Sequence, residues 1–170
     1  MKMIQTRTCL RFVKRSSERD YIYLFPGEGC YSYVGYQGMG EQVVSLGKGC
    51  LYLGTALHEL LHAAGFHHEH TRYDRDDYLK INMENVIPEY SLQFKKRPKS
   101  SDPVDTRFDF TSVMLYGSTS FAKDKSHPTI LRKNGHRIEE VYQKYSLGLY
   151  DRIRVGIFYG CKGQIRGNTK

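Results

Sequence analysis

Apolar positions fall into two regimes along this chain. Up to Cys50 they gather in short β-branched and aromatic runs, Cys9–Arg15 (CLRFVKR) and Tyr21–Gly27 (YIYLFPG), the second stopped by Pro26-Gly27. Runs of this kind bounded by turn residues predict strands. Glu41–Cys50 (EQVVSLGKGC) predicts another, with glycines on both sides that leave room for close backbone approach. From Thr55 the period changes to that of a helix. Thr55 is placed to cap it, and Ala, Leu, His and Glu fill its turns up to Gly65. Met83, Val86, Ile87, Tyr90 and Phe94 then recur at helical spacing after Asn82, a candidate cap, and core packing is the role expected for them. The polar stretch Lys95–Asp105, with two prolines, reads as a surface loop. Leu147, Tyr150, Ile153, Ile157 and Cys161 give a last amphipathic helix before a loose tail, KGQIRGNTK. Strands early and helices late predict an α+β fold with a mostly segregated layout. No internal repeat or low-complexity segment interrupts this pattern.

Composition narrows the class. A chain of 170 residues, 39% hydrophobic and 26% charged, suits one globular domain with a core of its own. No apolar run approaches the roughly 18–20 residues of a membrane helix, so no membrane span is expected. The opening MKMIQTRTCLRFV lacks the apolar core of a secretory signal, which says nothing of a precursor. The net charge of +8 and the basic stretches Lys95–Lys99 (KKRPK) and Leu131–Arg137 (LRKNGHR) raise the question of nucleic acid or heparin. No nucleic-acid motif accompanies them, so they read as solvated loops and no nucleic-acid partner is expected. The charge would still steer acidic polypeptides toward the surface. Cys9, Cys30, Cys50 and Cys161 form no C-x-x-C pair, which argues against a cysteine zinc knuckle. Their even number and wide spacing fit two disulfides, with three connectivities open; four buried thiols in a reduced chain is the plain alternative.

The candidate chemistry lies in Thr55–Tyr78, TALHELLHAAGFHHEHTRYDRDDY. His58-Glu59-Leu60-Leu61-His62 is H-E-x-x-H, and on a helix positions i and i+4 share a face, so both imidazoles reach one ion. Glu59 can reach a water activated by that ion without ligating it. Alone, a histidine pair on a helix is more often a surface coincidence. Gly65, however, allows a sharp turn, and His68 completes H-E-x-x-H-x-x-G-x-x-H. Three nitrogen ligands and an open position describe a catalytic zinc, whereas a structural zinc wants four ligands, usually with cysteine. His67 is one residue off the spacing and is expected to point away; His70, His127 and His136 are expected to be bystanders. Downstream, Ser112–Tyr116 (SVMLY) places Met114 where zinc proteases with this long motif have their Met-turn, as a soft apolar floor beneath the imidazoles.

These residues resemble the astacin family of zinc endopeptidases, in the metzincin clan. HELLHAAGFHHEHTRYDRDDYL resembles its signature helix and the segment after it, FDFTSVMLYGSTSF its Met-turn, TCLRFVKR and GCYSYVG its early strands. EQVVSLGKGC is similar to its substrate-side edge strand, and the Asp151–Cys161 stretch to its closing helix; the likeness runs from about Cys9 to Cys161. The residue type at Glu69 separates this family from its siblings. The resemblance implies a two-lobed zincin-like catalytic domain over residues 1–161, with the N-terminal part of the usual domain missing, and a short basic tail at 162–170. It implies a small twisted sheet, an active-site helix above the cleft and a helix-containing C-terminal lobe. His58, His62 and His68 would ligate one zinc per chain, with Glu59 as general base and then acid. Tyr116 would ligate zinc at rest and swing to stabilise the tetrahedral intermediate. Cys9–Cys161 and Cys30–Cys50 would be the disulfides. The implied protein is a secreted, monomeric endopeptidase that hydrolyses protein or peptide substrates lying along Gln42–Leu46. Family members bury their mature N-terminus near the position of Glu69, a contact that cannot form here in the usual way. Leu115 replaces a usual histidine and Gly148 a usual serine. Lys144 falls where several members carry an arginine lining the pocket for the residue after the scissile bond, which implies an acidic preference there. The competing expectation is a truncated, impaired relative acting as a zinc-stabilised binding module; the intact Glu59 argues against it.

Overall fold

Strands β1 (Tyr21–Phe25), β2 (Cys30–Ser32) and β3 (Glu41–Leu46) form one sheet in the order β1-β3-β2, with β1 parallel and β2 antiparallel to β3. The structure, a computed structural model, describes residues 1–161; the tail expected at 162–170 lies outside the described residues. Tyr21 pairs with Glu41 and Phe25 with Ser45 on one side of β3, and Cys30 with Leu46 and Ser32 with Val44 on the other. β3 is therefore central, which corrects its expected place at the sheet edge. Its Val43-Val44 run suits a strand with neighbours on both sides, and Val44 and Ser45 are wholly buried. The edge on the side of the helix that follows the sheet is β2.

Helix α1 (Lys2–Arg7), unforeseen from the pattern, is too short to be stable alone and is held by burial of Ile4 in the core. The longer helix after the sheet carries the site. This helix, α2, spans Leu53–Ala63 and packs against β2 and β3. It is capped by Tyr52 and not by Thr55, which lies buried within it. The reason is tertiary: a side chain at Gly54 would come within 2.0 Å of the Val141 carbonyl oxygen. The turn at 141–144 thus holds the first turn of α2 against it.

The C-terminal half pairs β4 (Leu79–Ile81) with β5 (Ile130–Arg132) and ends in α3 (Leu149–Phe158). Three expectations change. The run Cys9–Arg15 is irregular, not a strand. The helix expected over Met83–Phe94 is replaced by two 3-10 segments, Met83–Asn85 and Pro88–Phe94. Pro88 lacks an N–H and forces Ile87 out of the helical region, to φ −58° and ψ 123°. Val86 and Phe94 are core residues as expected, while Met83 and Tyr90 are each 44% exposed. In α3 the buried face is Asp151, Arg154, Val155 and Gly156, and Ile157 faces outward.

Two apolar clusters result. One joins α2 and α3 through Ile4, Leu57, Leu61, Phe66 and Val155. The other lies under the β4–β5 pair, with Leu79, Phe94, Phe108 and Ile130. The Met-turn bridges them: Val113 and Met114 belong to the first and Leu115 to the second. This explains why an apolar residue is tolerated at 115. The observed architecture is α+β.

Candidate active site

His58 and His62 sit one turn apart on α2, 5% and 6% exposed. After Ala63 the chain turns through Gly65, whose φ of +97° is open to glycine and strained for other residues. Its N–H donates to the His62 carbonyl, and the Phe66 N–H to that of Leu61. This turn delivers His68, which enters the short 3-10 segment Glu69–Thr71. The three Nε2 atoms converge: His58–His62 are 3.0 Å apart, His58–His68 3.1 Å and His62–His68 2.9 Å.

The other ring nitrogens explain which tautomer is held. Nδ1 of His58 lies 2.7 Å from the Val113 carbonyl and Nδ1 of His62 2.7 Å from that of Phe66. A carbonyl accepts only, so each Nδ1 carries the proton and each Nε2 presents its lone pair inward. Burial holds all three rings neutral, with the pKa of His58 pushed down to about 4, that of His62 to about 3, and that of His68 well below the usual range. Neutral imidazoles that turn lone pairs toward one another at this spacing, as His58 and His62 do, repel unless a cation lies between them. Zn–N bonds of about 2.0–2.1 Å in a tetrahedron set nitrogens about 3.3 Å apart, close to the spacing seen. The donor set fits one zinc, and among the described residues it is the one histidine, cysteine or carboxylate group that does.

Glu59 projects from the same helix, 4% exposed, and burial pushes its pKa up to about 7. Tyr116 packs its ring 4.3 Å from that of His68 and 4.1 Å from that of His70. Burial, then the nearby charge of Glu59, raises its pKa above the ordinary tyrosine value. His70 is therefore no bystander, although it is no ligand: it is fully buried, bonds the Gln93 carbonyl through Nε2 and forms the wall behind Tyr116. Spacing alone gives no signal for that role. His67 is outside the converging ligand set and lines, beside His68, a groove of about 400 Å³ with Lys95 and Arg97. His127 meets Asp124 at the surface and His136 is exposed.

The Met-turn is pinned from three sides. Asp151, at the start of α3, accepts the Ser112 hydroxyl at 2.5 Å and the Val113 N–H at 2.9 Å. The Glu69 N–H donates to the Met114 carbonyl at 2.9 Å, and Met114 itself is 1% exposed beside Leu57, Leu61 and Phe66. The third pin is Lys144, whose Nζ donates to the carbonyls of Ser112 and Leu115, both at 2.7 Å. Its ammonium is buried there and its pKa is pushed down to about 8 by that burial. This corrects the expectation of a substrate-facing lysine: the charge that suggested an acidic preference points into the turn.

Glu69, 2% exposed, is met from inside the chain. Both its oxygens are held by the Arg154 guanidinium, and the Asp109 N–H adds a bond at 2.9 Å. Disulfides join Cys9 to Cys161 and Cys30 to Cys50. A cleft of about 280 Å³ runs past His58, lined by Cys30, Thr55, Glu59, Tyr116 and Val141 among others. The unpaired strand edge beside it is β2, not Gln42–Leu46.

Known proteins are similar to this chain over nearly its whole length. It is 39% identical over 165 residues to astacin-like metalloprotease toxin 1 of Loxosceles intermedia, covering 95% of itself and 62% of that relative. It is 37% identical over 164 residues to zinc metalloproteinase nas-6 of Caenorhabditis elegans, covering 96% and 47%. The chain thus spans about half the length of the curated relatives it matches. Among solved structures, high choriolytic enzyme 1, a hatching enzyme zinc-protease of Oryzias latipes, superposes with a TM-score of 0.87 at 36% identity, over 95% of this chain and 80% of that one. Myroilysin shares the fold, with a TM-score of 0.62 at 19% identity. The family model for astacin, a peptidase family, matches residues 1–160. With that match beside a relative named as a zinc metalloproteinase, and with three imidazoles set for one zinc, the chain belongs to the astacin family of peptidases.

Proposed function

We propose that this chain is a secreted zinc endopeptidase in which Glu59 is the general base. The observation that carries the reading is the convergence of three neutral Nε2 atoms beside a buried carboxylate at the wall of an open cleft. His58, His62 and His68 would hold the zinc, which when bound acidifies water and polarises a carbonyl oxygen. Burial by itself pushes the Glu59 pKa up to about 7, and the charge of bound zinc would draw it back toward the ionised form, so Glu59 is placed to take a proton from water and to give it to the leaving amine. The Tyr116 phenol stays protonated and is free to donate to the oxyanion as the carbonyl carbon becomes tetrahedral. The substrate lies extended against the free edge of β2. Two disulfides support an oxidising, extracellular setting.

The test pairs metal analysis with cleavage of a quenched peptide. The protein should hold one zinc, lose cleavage with chelator and regain it with zinc. Glu59→Ala should keep the zinc and lose roughly 10²–10⁴ in kcat/KM, the usual share of a general base. Near-normal cleavage by Glu59→Ala would sink the assignment. Zinc binding with no cleavage by the wild type would favour a binding module instead.

A further inference from the structure

The amino end of α2 carries apolar side chains that neither core uses. Leu51, Tyr52 and Leu53 are 83%, 51% and 46% exposed. They lead into Gly54, which lies directly against the backbone of the 141–144 turn. That close approach brings Tyr142 and Tyr145, 51% and 75% exposed, to the same end of the molecule, with the rings of Tyr52 and Tyr142 5.4 Å apart. Exposed apolar residues scattered singly need no explanation, but a gathered patch marks an interaction surface. Here the patch is also continuous with the cleft, because Tyr142 and Val141 line the same cavity as His58 and Glu59.

The direction of β2 indicates which part of a substrate would reach it. Cys30, where β2 begins, lines the cleft next to Thr55. Beyond β2 the chain reaches Gly35, whose N–H donates to the His62 carbonyl at the other end of α2. Antiparallel pairing is the more stable ladder per residue, so an added peptide runs opposite to β2, entering near His62 and leaving past Cys30. The residues that follow the scissile bond therefore emerge toward Tyr52 and Tyr142.

We propose that Leu51, Tyr52, Leu53, Tyr142 and Tyr145 form a docking surface for the substrate segment downstream of the cleaved bond, selecting polypeptides with apolar or aromatic side chains there. Tyrosine rings suit the task, since they offer large contact area with few rotatable bonds to freeze. The inference rests on the endopeptidase reading.

The experiment uses three peptides with one cleavage sequence. The first ends just past the scissile bond, the second continues with Leu and Tyr, and the third continues for the same length with Ser and Gly. The variant is Leu51→Ser/Tyr52→Ser: both side chains are exposed, neither lines the cleft, and serine is a favoured residue at the helix N-cap held by Tyr52. Wild type should show a KM about tenfold lower for the Leu/Tyr peptide than for the Ser/Gly peptide, the equivalent of about 1.4 kcal/mol. The double variant should lose that advantage and cleave the short peptide as wild type does. Equal KM values in wild type, or an advantage that survives in the variant, overturns the proposal. So does a dimer that the variant converts to monomer, since a second copy would then be the occupant. Absence of cleavage of even the short peptide in the presence of zinc would remove the endopeptidase reading itself, a distinct result.

Discussion

Arg154→Met tests how the third metal ligand is held. Glu69 follows His68 directly, is 2% exposed, and receives two guanidinium bonds from Arg154, 85 residues away on α3. Methionine keeps the length of the side chain and removes its charge. The carboxylate is then left with the Asp109 N–H at 2.9 Å and Arg72 at 3.6 Å. Breaking a buried ion pair by removing one partner costs about 3–5 kcal/mol. Because Arg72 remains, the lower end applies, about 3 kcal/mol. For a chain of this size each kcal/mol moves Tm by about 2–4 °C, so the drop should be about 9 °C. Thermal unfolding by circular dichroism reads this directly. Glu69→Gln in the same chain removes the stranded charge and should return most of the loss. Zinc affinity should weaken alongside stability, because the Glu69 N–H also anchors Met114 and fixes the approach of His68. The reasoning is refuted if Arg154→Met melts within about 1 °C of wild type, or if the double variant is no more stable than the single one.

Other perturbations probe neighbouring parts of the site. Lys144 has its folded pKa, about 8, below its unfolded value of 10.5, so between those values the unfolded chain binds the extra proton and rising pH favours the fold. Urea midpoints measured at about pH 7.5 and about pH 10 should show wild type gaining up to about 3 kcal/mol relative to Lys144→Met, and parallel profiles for the two would exclude the buried ammonium. Tyr116→Phe should lower kcat by roughly 10²-fold with little change in KM, since the phenol would act at the transition state; a change confined to KM would count against that role. Gly54→Ala should destabilise by about 1–3 kcal/mol, because its Cβ collides with backbone that has no side chain to swing away, and a neutral urea profile would refute the close contact.

Much of the site is legible in one dimension because its parts are local. The spacing from His58 through Gly65 to His68 encodes a helix face, a turn that favours glycine and a third ligand, and each follows from backbone geometry over a few residues. The α+β class follows from apolar period in the same way. Failures cluster where distant segments decide the outcome. Pro88 overrides the helical pattern of Met83–Phe94 locally, but the earlier start of α2 depends on the 141–144 turn lying against Gly54. The strand order that puts β2, and not β3, at the edge beside the cleft depends on pairing across a sheet, to which single-strand composition is blind. Lys144 shows the limit most plainly. As a sequence symbol it is a positive charge near the end of the chain; only the fold determines that its ammonium turns inward to two carbonyls of the Met-turn and away from the substrate. His70 and Arg154 gain their roles likewise, from stacking and ion pairing across long separations. Local spacing by itself determined which atoms can bind the metal, and tertiary packing decided what holds those atoms in place, because burial and charge pairing exist only once distant segments meet.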